Sequence, residues 1–251
     1  METFEQPIYE IESVQKILRN AEFASKVWNE FLLSISDAEV FKERFHLRPT
    51  ASGITIVSTL PYAPMRGKNE TKNRILDVLK ILHEKLPQLI NDTQENSLNI
   101  LKEIGFEQRA KTKALEENMQ ALLIQGMIKN EPTYDGIQFI ASEFNLEHGK
   151  RFDVVGVKNT TTYIFELKNE RNTRAASQLK GYINHFNTYM RDYESVLRVY
   201  PGSTVGAINE VKGIVIMPWS ANSKTNWEKY KENDIDIWFS EISGDSLSFI
   251  K

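Results

Sequence analysis

Two short β-rich runs, Arg151-Phe152-Asp153-Val154-Val155-Gly156-Val157 and Thr162-Tyr163-Ile164-Phe165-Glu166-Leu167-Lys168, flank the polar step Lys158-Asn159-Thr160-Thr161 and restrict the chain more than any other feature. β-Branched and aromatic residues suit a pleated strand, and a polar connection of this length suits a hairpin. Side chains alternate along a strand. Asp153, Val155 and Val157 therefore share one face, as do Ile164, Glu166 and Lys168 on the partner. A four-residue connection sets Asp153 opposite Glu166, and any loop of even length keeps the two on one face. Two carboxylates and an ammonium then meet inside apolar sequence.

Carboxylates held that close repel, and each is harder to ionise unless a positive charge lies between them. A divalent cation meets that need. Mg²⁺, with Mn²⁺ as its substitute, prefers oxygen ligands and keeps several waters, so Asp153, Glu166 and the backbone carbonyl expected of Leu167 make a reasonable donor set. Lys168 is placed to orient or help deprotonate an attacking water and to balance charge on a phosphate. Such a site suits metal-assisted phosphodiester hydrolysis. The competing reading is a solvated cross-strand salt bridge. A second Glu-x-Lys, Glu210-Val211-Lys212, shows that the triplet also occurs where no acidic partner strand accompanies it.

The rest of the chain divides near residue 106. Apolar residues recur at helical spacing from Glu10 to about Leu33, from Asp37 to Phe45, from Glu70 to Ile90 and in Leu98–Gly105, with one strand expected at Ile54–Leu60. Residues 1–105 thus read as a mainly helical region suited to recognition, dimerisation or regulation. Beyond it come a helix over Lys111 to Met127, a strand at Ile137–Phe144, the hairpin and a helix from Ala175 to Tyr193. Strands at Gly213–Trp219, Ile235–Ser240 and Ser246–Lys251 complete the series, and residues 201–210 read as a loop. This order describes an α/β domain with a mixed sheet over 106–251.

Composition narrows the chemistry. The 251 residues include no cysteine, which excludes disulfides, thiolate zinc sites and a cysteine nucleophile. A net charge of −3 argues against binding nucleic acid by a broadly basic surface, although a carboxylate-rich metal site itself lowers that number. The acidic start and the lack of any run of ~18 apolar residues lead to the expectation of a cytoplasmic protein with no membrane partner.

Both helices around the hairpin carry further candidates. Before it, the stripe Leu115, Met119, Leu122, Leu123 and Met127 is bordered by Glu116, while Glu117 points nearly away; Glu116 is the expected third acidic group, with Gln120 one turn on. After it, Gln178 and Tyr182 stand one turn apart and can hold a phosphate or a catalytic carboxylate by hydrogen bonds.

In order along the chain, Glu116, Asp153, Glu166-Leu167-Lys168 and Gln178-Leu179-Lys180-Gly181-Tyr182 resemble the PD-(D/E)XK nuclease superfamily, and within it the RecB-like branch with a Gln-x-x-x-Tyr motif. The lead-in Glu143-Phe144-Asn145-Leu146 before Gly149-Lys150-Arg151-Phe152-Asp153 is similar to that of Shedu-type defence nucleases. The resemblance spans roughly residues 111–190. It implies a restriction-endonuclease-like core of a helix, a mixed sheet and a second helix, with Mg²⁺ or Mn²⁺ at Asp153 and Glu166, and Lys168, Glu116, Gln178 and Tyr182 in the catalytic set. It further implies a deoxyribonuclease, an endonuclease before an exonuclease, acting in restriction, phage defence or repair. A catalytically inactive nucleic-acid-binding or assembly protein of the same fold is the alternative. A homodimer is compatible with either.

Other residues are less informative. His46, His83, His148 and His185 show no zinc-site spacing. Arg171 and Arg174 suit phosphate contacts or a solvated helix entry. Trp219 and Trp227 are expected to pack a sheet end, with base stacking as the alternative.

Overall fold

The computed structural model describes residues 11–60, 65–108, 114–146, 151–222, 227–232, 234–244 and 246–250. The first element, α1 (Ile11–Leu33), buries a single stripe of Val14, Ile17, Ala21, Ala24, Trp28 and Phe31 at helical spacing. That stripe serves two cores. Val14, Ile17 and Ala21 belong to the cluster around a six-stranded sheet, and Ala24, Trp28 and Phe31 to a second cluster around a four-stranded one.

The four-stranded sheet is antiparallel in the order β1 (Phe45–Thr50), β2 (Gly53–Ser58), β3 (Met65–Glu70) and β4 (Glu107–Gln108). With it go α2 (Ala38–Arg44), α3 (Ile75–Asn91) and α4 (Gln94–Ile104). Thr93 caps the start of α4 by accepting from the Asn96 N–H, and Gly105 at φ 102° ends it in the left-handed conformation glycine tolerates. The N-terminal region is thus helical but wraps a sheet, whereas its sequence yields only β2. Phe-His-Leu-Arg-Pro-Thr in β1 lacks alternation because five of its six residues are buried, and Met-Arg-Gly-Lys-Asn-Glu in β3 reads as a polar turn. Their pairing partners lie outside the local window.

The six-stranded sheet is mixed. Its order is β10 (Ser246–Ile250), β9 (Ile235–Ser243), β8 (Glu210–Pro218), β7 (Thr161–Leu167), β6 (Phe152–Lys158) and β5 (Gln138–Phe144). β5, β6 and β7 run antiparallel, β8 and β9 parallel to β7, and β10 returns antiparallel. One face carries α5 (Ala114–Ile128) on Val154, Phe165, Leu167, Ile214 and Ile216. The other carries α6 (Ala175–Thr188) on Val155, Ile164, Val215 and Met217, with α7 (Met190–Arg198) packed on α6 and the first half of α1 on α7. The expected helix to Tyr193 therefore breaks at Tyr189, after the poor helix formers Asn187 and Thr188.

The two sheets meet at β1 and β5. His46 Nε2 and Ser142 Oγ share a 2.6 Å hydrogen bond, Arg48 pairs with Glu143, and the Gln125 amide reaches the Thr59 carbonyl. No helix among the described residues is long and apolar enough to cross a membrane.

Candidate active site

β6 and β7 pair Val154 with Phe165, Val155 with Ile164 and Lys158 with Thr161. Continued by one residue, that register sets Asp153 opposite Glu166. The connection itself is only Asn159-Thr160, with Asn159 at φ 57°, a left-handed conformation asparagine takes readily. The two-residue turn has the same centre as the expected four-residue connection, so the register, and with it the expected opposition, is the same.

The strand ends are tied by the acid itself. Asp153 Oδ2 accepts from the Leu167 N–H at 2.9 Å, and the Asp153 carbonyl accepts from the Gln120 amide of α5 at 2.8 Å. Glu166 is 3% exposed. Its Oε1 accepts from Lys168 Nζ and from the Gln178 amide, the latter at 2.8 Å, and the same amide nitrogen lies 2.7 Å from the Tyr182 hydroxyl. Tyr182 in turn lays its ring on Phe152, centroids 5.5 Å apart.

Burial, then the charge of Asp153, pushes the Glu166 carboxyl up to about 7; Lys168 pulls it back and Glu116 adds to the rise. For Lys168, burial works against the charge, but the hydrogen bond and charge of Glu166, with Asp153 and Glu116, outweigh it and hold the ammonium above its ordinary value. Burial raises the Tyr182 phenol as well. The site thus holds more negative charge than one lysine relieves.

A narrow cleft of about 10 Å³, room for one water-sized species, opens beside Asp153 and Leu167 and is walled by Glu116, Glu117, Gln120, Glu143 and Arg151. Both α5 glutamates reach it. Glu117 is buried and Leu115 is 44% exposed, so the helix is rotated from the expected orientation, in which Leu115 faced in and Glu117 out. The reason is that residues 121–127 are buried all round, between the six-stranded sheet and α2. Their apolar pattern cannot fix a rotation.

Glu143 is the residue sequence reasoning passed over, having appeared only in a lead-in segment. The flanking pairs Ser142 with Val154 and Phe144 with Phe152 set it opposite Asp153. Its φ of 46° is unusual for a glutamate and costs about 1–3 kcal/mol, a strain that the surrounding contacts must hold. No local signal announces it; only the β5–β6 register does.

The remaining candidates lie elsewhere or play other parts. Arg171 and Arg174 are exposed. His83 bonds Asp37 at 2.7 Å, His185 packs on Tyr189 and Tyr193, and His148 lies outside the described residues, as do 111–113 and Gly149-Lys150. Trp219 and Trp227 both pack against Phe239. The rival triplet is a surface arrangement, with Glu210 taken up by Lys212 and Thr161.

As donors, Asp153 and Glu166 fit a hard cation. They stand level on adjacent strands, and burial first, then the charge of Asp153, raises the Glu166 carboxyl to about 7. Among the described residues no three His, Cys, Asp or Glu side chains are already gathered as a cage. Mg²⁺ does not require one, since it is commonly held by one or two carboxylates and completed by water. No protein-family model, no curated protein and no solved structure matches the chain.

Proposed function

We propose that this chain is a metal-dependent nuclease that hydrolyses phosphodiester bonds, with DNA the favoured substrate. The observation that carries the reading is that Asp153 and the buried Glu166 come level at the open end of one hairpin, with Lys168 and Gln178 of the following helix both bonded to Glu166 Oε1. The element order supports it as well. A helix, α5, precedes an antiparallel run of three strands, and a second helix, α6, returns the chain to a parallel strand, as the PD-(D/E)XK resemblance implies.

Asp153 and Glu166 are the residues that would hold Mg²⁺ or Mn²⁺. When bound, the cation lowers the pKa of a coordinated water and screens the phosphate. The chain's own groups do the rest. Lys168, held protonated, donates hydrogen bonds and cannot act as a base, so its part is to orient the attacking water and to neutralise charge growing on the phosphate oxygens. Gln178 fixes the Glu166 carboxylate through Oε1 and keeps Tyr182 in line. The Leu167 N–H holds the Asp153 carboxylate and the Gln120 amide its backbone carbonyl, so strand and acid are both fixed without cation.

The test is cleavage of plasmid, single-stranded DNA and RNA in Mg²⁺ or Mn²⁺ by the native chain and by Asp153→Asn, Glu166→Gln and Lys168→Ala. Each substitution is expected to lower cleavage by at least about 100-fold while folding is retained. Cleavage that survives all three would sink the proposal, and binding of nucleic acid without cleavage by the native chain would favour the non-catalytic alternative.

A further inference from the structure

Glu143, Asp153 and Glu166 lie on the adjacent strands β5, β6 and β7, level with one another when the flanking pairs are extended, and the first two line the same cleft. Three carboxylates so placed need compensation, and the arrangement of charge around Glu143 is specific. Its side chain is 6% exposed; Arg48, 9% exposed, pairs with Oε2, and Arg151 lies 3.8 Å from Oε1. Arg48 comes from β1 of the four-stranded sheet, 95 residues away in sequence, and the His46–Ser142 bond fastens the two strands beside it. The Glu143 backbone is itself left-handed, at φ 46°. The four-stranded sheet thus delivers a buried cation to the edge of the catalytic cleft.

We infer that Glu143 is a positioning residue for the cation site and that Arg48 governs it, so that the four-stranded sheet sets how tightly Asp153 and Glu166 hold a divalent cation. This rests on the reading of Asp153 and Glu166 as cation ligands. While Arg48 is engaged, the charge that Glu143 brings to the cleft wall is masked. Loss of Arg48 alone unmasks a negative charge beside Asp153, which attracts the cation more strongly. Loss of the Glu143 charge alone leaves Arg48 and Arg151 to repel it.

The two single substitutions therefore act with opposite sign, whereas a purely structural ion pair would weaken the site whichever partner was lost. The experiment is calorimetric titration of the full chain with Mn²⁺, without nucleic acid. Glu143→Gln is expected to weaken Mn²⁺ binding by about tenfold, Arg48→Met to tighten it by a similar factor, and the double substitution to return it near the native value. Native chain that binds no Mn²⁺, or binds it equally well after Asp153→Asn and Glu166→Gln, overturns the nuclease reading and this inference together. Native binding that those two abolish, but that Glu143→Gln and Arg48→Met leave unchanged or both weaken, overturns the inference alone. Should Arg48→Met fail to fold because it strands a buried carboxylate, Glu143→Gln and the double substitution, which buries no unpaired charge there, still decide. Weakening by the first and recovery in the second support the inference; equal affinities refute it.

Discussion

At the scale of single residues, the chain buries ionisable groups in a few places and compensates them unequally. Glu166 is compensated by Lys168 and Gln178 and yet sits far above an ordinary carboxyl. His46 shows the opposite behaviour. Burial first, and the nearby Arg48 second, hold its imidazole down at about 3, so it is neutral in the folded protein. A histidine whose folded pKa is depressed costs nothing above its ordinary value of 6.5 and costs progressively more as pH falls from there towards 3, because only the unfolded chain takes the proton. Thermal midpoints between pH 7 and pH 4 should therefore fall for the native chain and fall less steeply for His46→Gln. Parallel slopes would show that His46 takes up its proton in the folded state.

At the scale of elements, the position of α6 is set by a missing side chain. A Cβ on Gly213 of β8 would come within 2.6 Å of Leu179 Cγ and Cδ2 and 3.0 Å of Ile183 Cδ1. Glycine there lets α6 settle on the sheet, and α6 carries Gln178 and Tyr182 to Glu166. Gly213→Ala should cost about 1–3 kcal/mol by overpacking and push α6 outward. The expected signature is a lower thermal midpoint together with weakened cleavage, because Gln178 moves away from the Glu166 carboxylate it fixes. A variant of native stability and activity would show that α6 has slack. Strand parity made the hairpin pair legible, and helical spacing made Gln178 and Tyr182 legible, because both regularities are local. The rotation of α5 was not legible, since a helix apolar on every side has no preferred face until its neighbours are in place.

At the scale of the whole molecule, α1 joins the two cores. Ile17 sits in one and Phe31 in the other, on a single helix whose ends cannot melt independently without exposing apolar surface. Ile17→Ala in the first and Leu79→Ala in the second are each expected to cost roughly 2–5 kcal/mol and to lower one common transition. Tryptophan fluorescence and far-ultraviolet circular dichroism should then trace the same unfolding curve, since Trp28 reports on one core and Trp227 and Trp238 on the other side of the molecule. Two separated transitions would mean that the halves fold alone and that α1 merely touches both.

What the sequence determined by itself is the alternation and spacing of short segments: the opposed Asp153 and Glu166, Lys168 beyond them, the helix that follows, and the α/β character of residues 106–251. Each depends on contacts a few residues apart, where the geometry of strand and helix leaves few choices. The tertiary structure alone decided which α5 glutamates reach the cleft, that β1 and β3 exist at all, and that Glu143 and Arg48 meet beside Asp153. Those depend on register between distant strands and on burial from both sides, quantities that no local window of the chain contains.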